Sequence, residues 1–155
     1  MRNIIPMVLA TVMFLTSCQS NTTKKNNTAD SSITQQIDSA ATTACFLYAK
    51  NKDTAALKLN TTGKVISGTL SYNLFEKDKN TGTIAGIVKG DTLIADYTYQ
   101  SEGMESIRQV VWLKQAGKLI EGFGDVEEIA GKVKFKNIST LKFGNAIEFS
   151  KTTCK

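Results

Sequence analysis

The stretch YTYQSEGMESIRQVVWL, residues 97–113, gathers the side chains of this chain best suited to hold and orient a ligand. It carries Arg108, the sole arginine beyond Arg2, and Trp112, the single tryptophan, after Tyr97 and Tyr99. Alternation with a period of two puts Arg108, Val110 and Trp112 on one strand face and Ile107, Gln109, Val111 and Leu113 on the other. Arginine and aromatic residues are enriched where binding energy concentrates. The candidate ligand or partner surface is therefore Arg108, Trp112, Tyr72, Tyr97 and Tyr99. The same residues also fit a central strand in which Trp112 packs against a neighbouring loop or the end of a barrel. In that arrangement Arg108 pairs with a carboxylate such as Asp96 or Glu121.

Catalytic chemistry finds little to work with, and the expected catalytic set is none. The chain has no histidine, which removes the commonest general base and the usual zinc ligand. No Gly-x-Ser-x-Gly elbow is present. Paired carboxylates remain the one enzymatic option, as a carboxylate-dependent hydrolase. Glu127 and Glu128 are adjacent, so on a strand they point to opposite faces, and Glu102 and Glu105 flank a turn. Glu76, Asp78 and Asn80 alternate as oxygen ligands would, but two lysines intervene and the distal acid of a calcium loop is missing. No metal site and no cofactor are expected.

A different kind of chemistry attaches to Cys18, which ends the apolar run MVLATVMFLTSC. Arg2 supplies a basic start, and the run is shorter than the roughly 20 residues a spanning helix needs. Leu15-Thr16-Ser17-Cys18 resembles the lipobox of bacterial lipoproteins. The resemblance implies removal of residues 1–17, diacylation of the Cys18 sulfur and acylation of the new amino terminus. Each buried methylene contributes about 0.8 kcal/mol, so several chains hold a protein to a membrane where one is marginal. The implied location is the bacterial cell envelope, lipid-anchored at the outer membrane. Loss of Arg2 lowers the formal charge from +5 to +4. The remaining positive charge is scattered, without a basic cluster interleaved with aromatics, which argues against nucleic acid as a partner.

Residues 18–43 read as a lipidated cysteine followed by a polar tether, QSNTTKKNNTADSSITQQ and its continuation, too poor in apolar residues to order itself. Loosely helical spacing over 33–44 allows a short helix or an extended lead-in. Residues 44–155 then form one β domain, expected to be monomeric. Export leaves Cys45 and Cys154 as a natural disulfide pair joining the two ends of that domain.

Within the domain, short alternating runs are separated by NKDT, TTG, KGD, SEGM and two AG turns. Glycine, asparagine and aspartate at each gap supply the backbone conformations that hairpins require. Ile66, Leu70, Tyr72 and Leu74 share a face, as do Leu93, Ala95, Tyr97 and Tyr99, although Ile94 breaks the second alternation. Gly68, Gly86, Gly122 and Gly124 are read as bends inside strands. The fold class expected is all-β: an antiparallel meander of about eight or nine strands, a small up-and-down barrel or strongly curled sheet, with a two-sheet sandwich as the alternative. In architecture it looks like the lipocalin and avidin type. The Gly-x-Trp opening of lipocalins is missing, so no ligand follows from that likeness.

The expected function is a non-enzymatic binding or interaction module of the envelope, contacting a small molecule or an envelope protein. A carrier needs a hollow barrel, whereas a protein inhibitor needs a filled one and a projecting loop such as EKDKNTG or SEGME. In size and export the chain is similar to the periplasmic lysozyme inhibitors, small β lipoproteins, although their inhibitory motif is missing.

Overall fold

Six two-residue turns set the architecture of the computed structural model, which describes residues 40–144 and 147–155. They are Asn51-Lys52, Gly63-Lys64, Gly90-Asp91, Glu102-Gly103, Ala116-Gly117 and Ala130-Gly131. In the last three pairs both residues have positive φ, as in Glu102 at 52° and Gly103 at 78°. That is the twist of a type I′ hairpin, which matches the natural coil of antiparallel strands. The strands they join are β1 (Thr42–Lys50), β2 (Asp53–Thr62), β3 (Val65–Asn73), β4 (Asn80–Lys89), β5 (Thr92–Ser101), β6 (Met104–Gln115), β7 (Lys118–Glu121), β8 (Val126–Ile129) and β9 (Lys132–Phe135). β10 (Glu148–Thr152) follows a short 3₁₀ turn, Ile138–Thr140.

β1 through β7 form a continuous antiparallel meander, and β10 inserts between β7 and β1 to close it. The result is an up-and-down barrel of eight staves, and the sandwich alternative is not what forms. Closure satisfies the edge hydrogen bonds that an open meander would expose. β8 and β9 are not staves. Their hairpin hangs from the barrel by a parallel pairing of β9 with β6, at Ile107 with Lys132 and Arg108 with Val133. This arrangement follows from unequal lengths. β6 has 12 residues and β7 only four, so β7 covers Trp112 to Gln115 and leaves the first half of β6 for β9.

Two expectations change at this level. Gly122 and Gly124 are not bends inside a strand: β7 ends at Glu121, and both glycines lie outside the named strands, in the connection to β8. They are needed there because the segment through Leu141 and Phe143 packs over them. A Cβ on Gly122 would sit 2.7 Å from the Phe143 ring, and one on Gly124 would sit 2.7 Å from the Leu141 side chain. The second change concerns the start of the domain. β1 begins at Thr42, within the stretch read as tether, since Thr42 and Thr43 extend the ladder opposite Thr61 and Asn60. The Thr43 hydroxyl also donates to Asn60 Oδ1 at 2.8 Å. The Leu15-Thr16-Ser17-Cys18 motif, the signal run and the tether up to residue 39 lie outside the described residues.

The barrel interior is filled. Leu57, Leu70, Leu93, Trp112, Leu119 and Phe149 project inward and are each at most 2% exposed. A second, smaller apolar layer lies on the outer face, where Val111 and Ile120 are buried together with Leu141 of the 137–143 segment. That segment is tied down by a bridge between Phe123 and Lys142. Ile94 faces the same layer, beside Ile138 and Phe143, which explains why it interrupts the alternation of its strand. Cys45 on β1 and Cys154 just beyond β10 are disulfide-bonded, with Cα atoms 5.1 Å apart and a sequence separation of 109. The bond reinforces the seam where the last stave meets the first.

Candidate functional site

The staves deliver their polar inward side chains to one end of the barrel. That end is bounded by the β5–β6 turn and the Leu74–Lys79 connection between β3 and β4. Tyr72 comes from the end of β3, Tyr97 and Tyr99 from the end of β5, Arg108 from the start of β6 and Glu121 from the end of β7. Register does the placing. Tyr97 lies directly across from Arg108, Tyr99 from Ser106, and Trp112 from Glu121. The strand periodicity that buries Val110 and Trp112 thus sends Arg108 inward too.

Tyr72 is the hinge of the cluster. Its hydroxyl donates to both carboxylate oxygens of Glu121, at 2.9 and 3.0 Å. The Arg108 guanidinium lies over its ring at 5.0 Å from the centroid, and over the Tyr97 ring at 5.6 Å. These are cation–π distances. Tyr97 meets Tyr72 edge-on at 5.9 Å and stacks on Tyr99 at 4.7 Å. Arg108 therefore spends its charge on two aromatic faces rather than on a carboxylate.

Both expected partners of Arg108 need correction. Asp96 points out of the barrel, where Lys132 Nζ meets its Oδ2 at 2.8 Å. Glu121 shares the interior with Arg108 but is engaged by Tyr72, and no ion pair joins the two among the described residues. Trp112 is not at a loop or the barrel end. It is fully buried, in the layer beneath the polar cluster.

Burial controls the protonation of the cluster. It pushes the Glu121 carboxyl up to about 7 from an ordinary 4.5, against the pull of the Arg108 charge and the Tyr72 hydrogen bond. Glu121 is the one charged side chain among the buried residues described, at 4% exposed. Burial also raises Tyr97, to about 12, and Tyr72 well above the usual tyrosine range, in the latter case with help from the Glu121 charge. Near neutral pH the two phenols are thus donors, and the carboxyl is poised between its two forms.

Several donors are left over. Arg108 Nε, Tyr97 Oη and Trp112 Nε1 are all buried without a hydrogen-bond partner. Above the cluster a recess of about 250 Å³ opens to solvent. Tyr72, Arg108 and Glu121 form its floor, Leu74, Phe123 and Ile147 its apolar wall, and Lys77, Asp78 and Asn80 its rim. The rim loop is held by the Phe75 N–H, which donates to Asp53 Oδ1 at 2.7 Å, and by Lys52 over the Phe75 ring at 4.1 Å.

Four of the five residues singled out in the sequence, Tyr72, Tyr97, Tyr99 and Arg108, thus meet in one interior cluster, with Trp112 in the layer beneath it, while the acidic pairs do not share a cleft. Glu102, Glu105, Glu127 and Glu128 are all exposed. No three histidine, cysteine or acidic side chains converge for a metal among the described residues. Glu76 sits in a left-handed turn and Asn80 opens β4, so the alternating oxygens of that loop are split between a turn and a strand. Glu121 entered the sequence reading only as a partner for Arg108. The signal for a larger role is that it shares its strand face with Leu119, so that a carboxylate follows the apolar side of KLIE inward. No family model matches this chain, and neither a curated protein nor a solved structure is similar to it.

Proposed function

We propose that this protein is a lipid-anchored module of the bacterial envelope that binds a small molecule or a partner through the recess at the Tyr72 end of its barrel, without catalysing a reaction. The anchor rests on Leu15-Thr16-Ser17-Cys18 and its resemblance to a lipobox. The binding role rests on one observation above others: a buried, unpartnered arginine Nε at the floor of an open recess. An unmet buried donor costs about 1–3 kcal/mol, and a ligand that supplies the acceptor recovers that energy. A filled interior speaks against carriage of a bulky apolar ligand and favours contact at the mouth.

Two measurements test the two halves. In detergent partitioning the wild-type protein should enter the detergent phase and Cys18→Ser the aqueous phase, and equal partition would refute the anchor. For the site, the full acylated chain is purified and its retained small molecules and envelope partners are compared with those of Ile147→Trp, which fills the recess. Loss of the retained species in the variant supports the recess as contact site. Identical retention by both proteins would refute it.

A second reading, an inhibitor-like module acting through the rim loop, draws on Phe75, which is 51% exposed at the loop's start. Under it, Phe75→Ala would abolish partner capture while Ile147→Trp would leave it intact.

A further inference from the structure

The floor of the recess carries an arginine with an unpartnered donor, and that residue defines what belongs there. Arginine is charged at every accessible pH, and its planar fork matches a carboxylate in two parallel hydrogen bonds. Arg108 makes no ion pair among the described residues, and its guanidinium carbon lies over the Tyr72 and Tyr97 rings. The one acid on the floor, Glu121, is already turned to the Tyr72 hydroxyl.

We propose that the recess binds a small monocarboxylic acid with a short apolar body, its carboxylate on the Arg108 guanidinium and its body against Leu74, Phe123 and Ile147. This rests on the reading of the recess as the contact site. Size sets the first limit: about 250 Å³ lies below the roughly 300 Å³ at which drug-sized pockets begin. Charge sets the second. While Glu121 holds its proton, the formal charges of Arg108, Lys77 and Asp78 leave the recess with one net positive charge, which a single carboxylate neutralises and a dianion such as phosphate exceeds. The wall sets the third, since three apolar side chains on one side reward a hydrocarbon body and give nothing to a fully polar anion.

The test is calorimetric titration of the full chain with phenylacetate, its neutral isostere phenylacetamide, and inorganic phosphate. Phenylacetate should bind at least tenfold more tightly than either of the others. Arg108→Met should weaken it at least tenfold, while Arg108→Lys, which keeps the charge but not the fork, should fall between. Should Arg108→Met fail to fold, the Arg108→Lys result and the acid-to-amide ratio carry the test alone. Equal binding of acid and amide, tighter binding of phosphate, or unchanged phenylacetate affinity in Arg108→Lys and Arg108→Met would each overturn the proposal. If acid and amide bind equally and both are lost in Ile147→Trp, the recess stands as the contact site and only the carboxylate is wrong. If no probe binds and Ile147→Trp retains the same co-purified species as wild type, the recess reading itself fails.

Discussion

Replacing Glu121 by glutamine isolates the cost of burying one carboxyl. The native carboxyl titrates near 7, against 4.5 in an unfolded chain, because burial penalises its charged form. Below pH 4.5 both states hold the proton, and Glu121 contributes nothing to the pH dependence. Between 4.5 and 7 the unfolded chain has released the proton and the native protein has kept it, so stability falls as pH rises. Above 7 both are ionised, and the native state carries the full penalty. The gap between the two values corresponds to about 3 kcal/mol, on the order of 10 °C in melting temperature for a domain of this size. Arg108 from β6 and Tyr72 from β3 act on Glu121 directly, Tyr97 from β5 is electrostatically coupled to it, and Lys77 and Asp78 line the same recess. The two phenols stay protonated throughout this window. In Glu121→Gln the amide oxygen still accepts from Tyr72, but nothing titrates at this position. Thermal melts of both proteins from pH 4 to 8 give the answer, because the other carboxylates contribute equally to each curve. Wild type should lose its advantage, or deepen its deficit, relative to the variant as pH rises from 4.5 to 7, and then run level. Parallel curves across that window would refute the buried-carboxyl account.

Phenylacetate affinity should fall as pH rises through about 7, when Glu121 gains its charge beside the bound carboxylate, and calorimetry on Glu121→Gln should show that dependence gone. Gly86→Ala should be among the most damaging single substitutions in the barrel. Its Cβ would overlap the Ile94 carbonyl oxygen and lie 2.6 Å from Ala95 Cα, so β4 and β5 would have to separate; a destabilisation above about 3 kcal/mol by denaturant melt is expected, and a loss under 1 kcal/mol would refute it. Reduction of Cys45–Cys154 should slow migration on a denaturing gel and lower stability by up to about 5 kcal/mol, the limit for a loop closed across 109 residues. Lys132→Ala should cost less than about 1 kcal/mol by the same melt, because the side chains of its pair with Asp96 are 38% and 34% exposed.

The barrel was legible because the features that determine it are local. Six two-residue turns with glycine, asparagine or alanine at positive φ, and alternation in residues 65–74 and 92–99, dictate hairpins whose apolar faces agree. Closure was legible only as a tendency, since nothing local tells β10 to enter between β7 and β1. The β8–β9 hairpin could not be told from two more staves. Val133 and Phe135 alternate with lysines as a stave would, and its position outside the barrel depends on β7 ending after four residues.

The same division runs through the site. Alternation places Arg108 with Trp112, and Tyr97 with Tyr99, but it does not say whether the shared face looks into the barrel or away from it. The register of β5 on β6 decides this: Leu93 opposes Trp112, Ala95 opposes Val110 and Tyr97 opposes Arg108, so an apolar face continues into a polar one along the same pair of strands. Polarity inside the barrel is therefore a matter of depth. The lower layers are closed by leucines and Phe149, and the donors that find no acceptor lie at and beneath the end that opens to solvent. A cluster retained only to fix the strand register would gain by pairing Arg108 with Glu121, whose carboxyl already feels the Arg108 charge. Tyr72 instead takes the carboxylate, and Arg108, which lines the recess, keeps a buried Nε without a partner, at a standing cost to stability. Such a cost is tolerated where a bound group removes it.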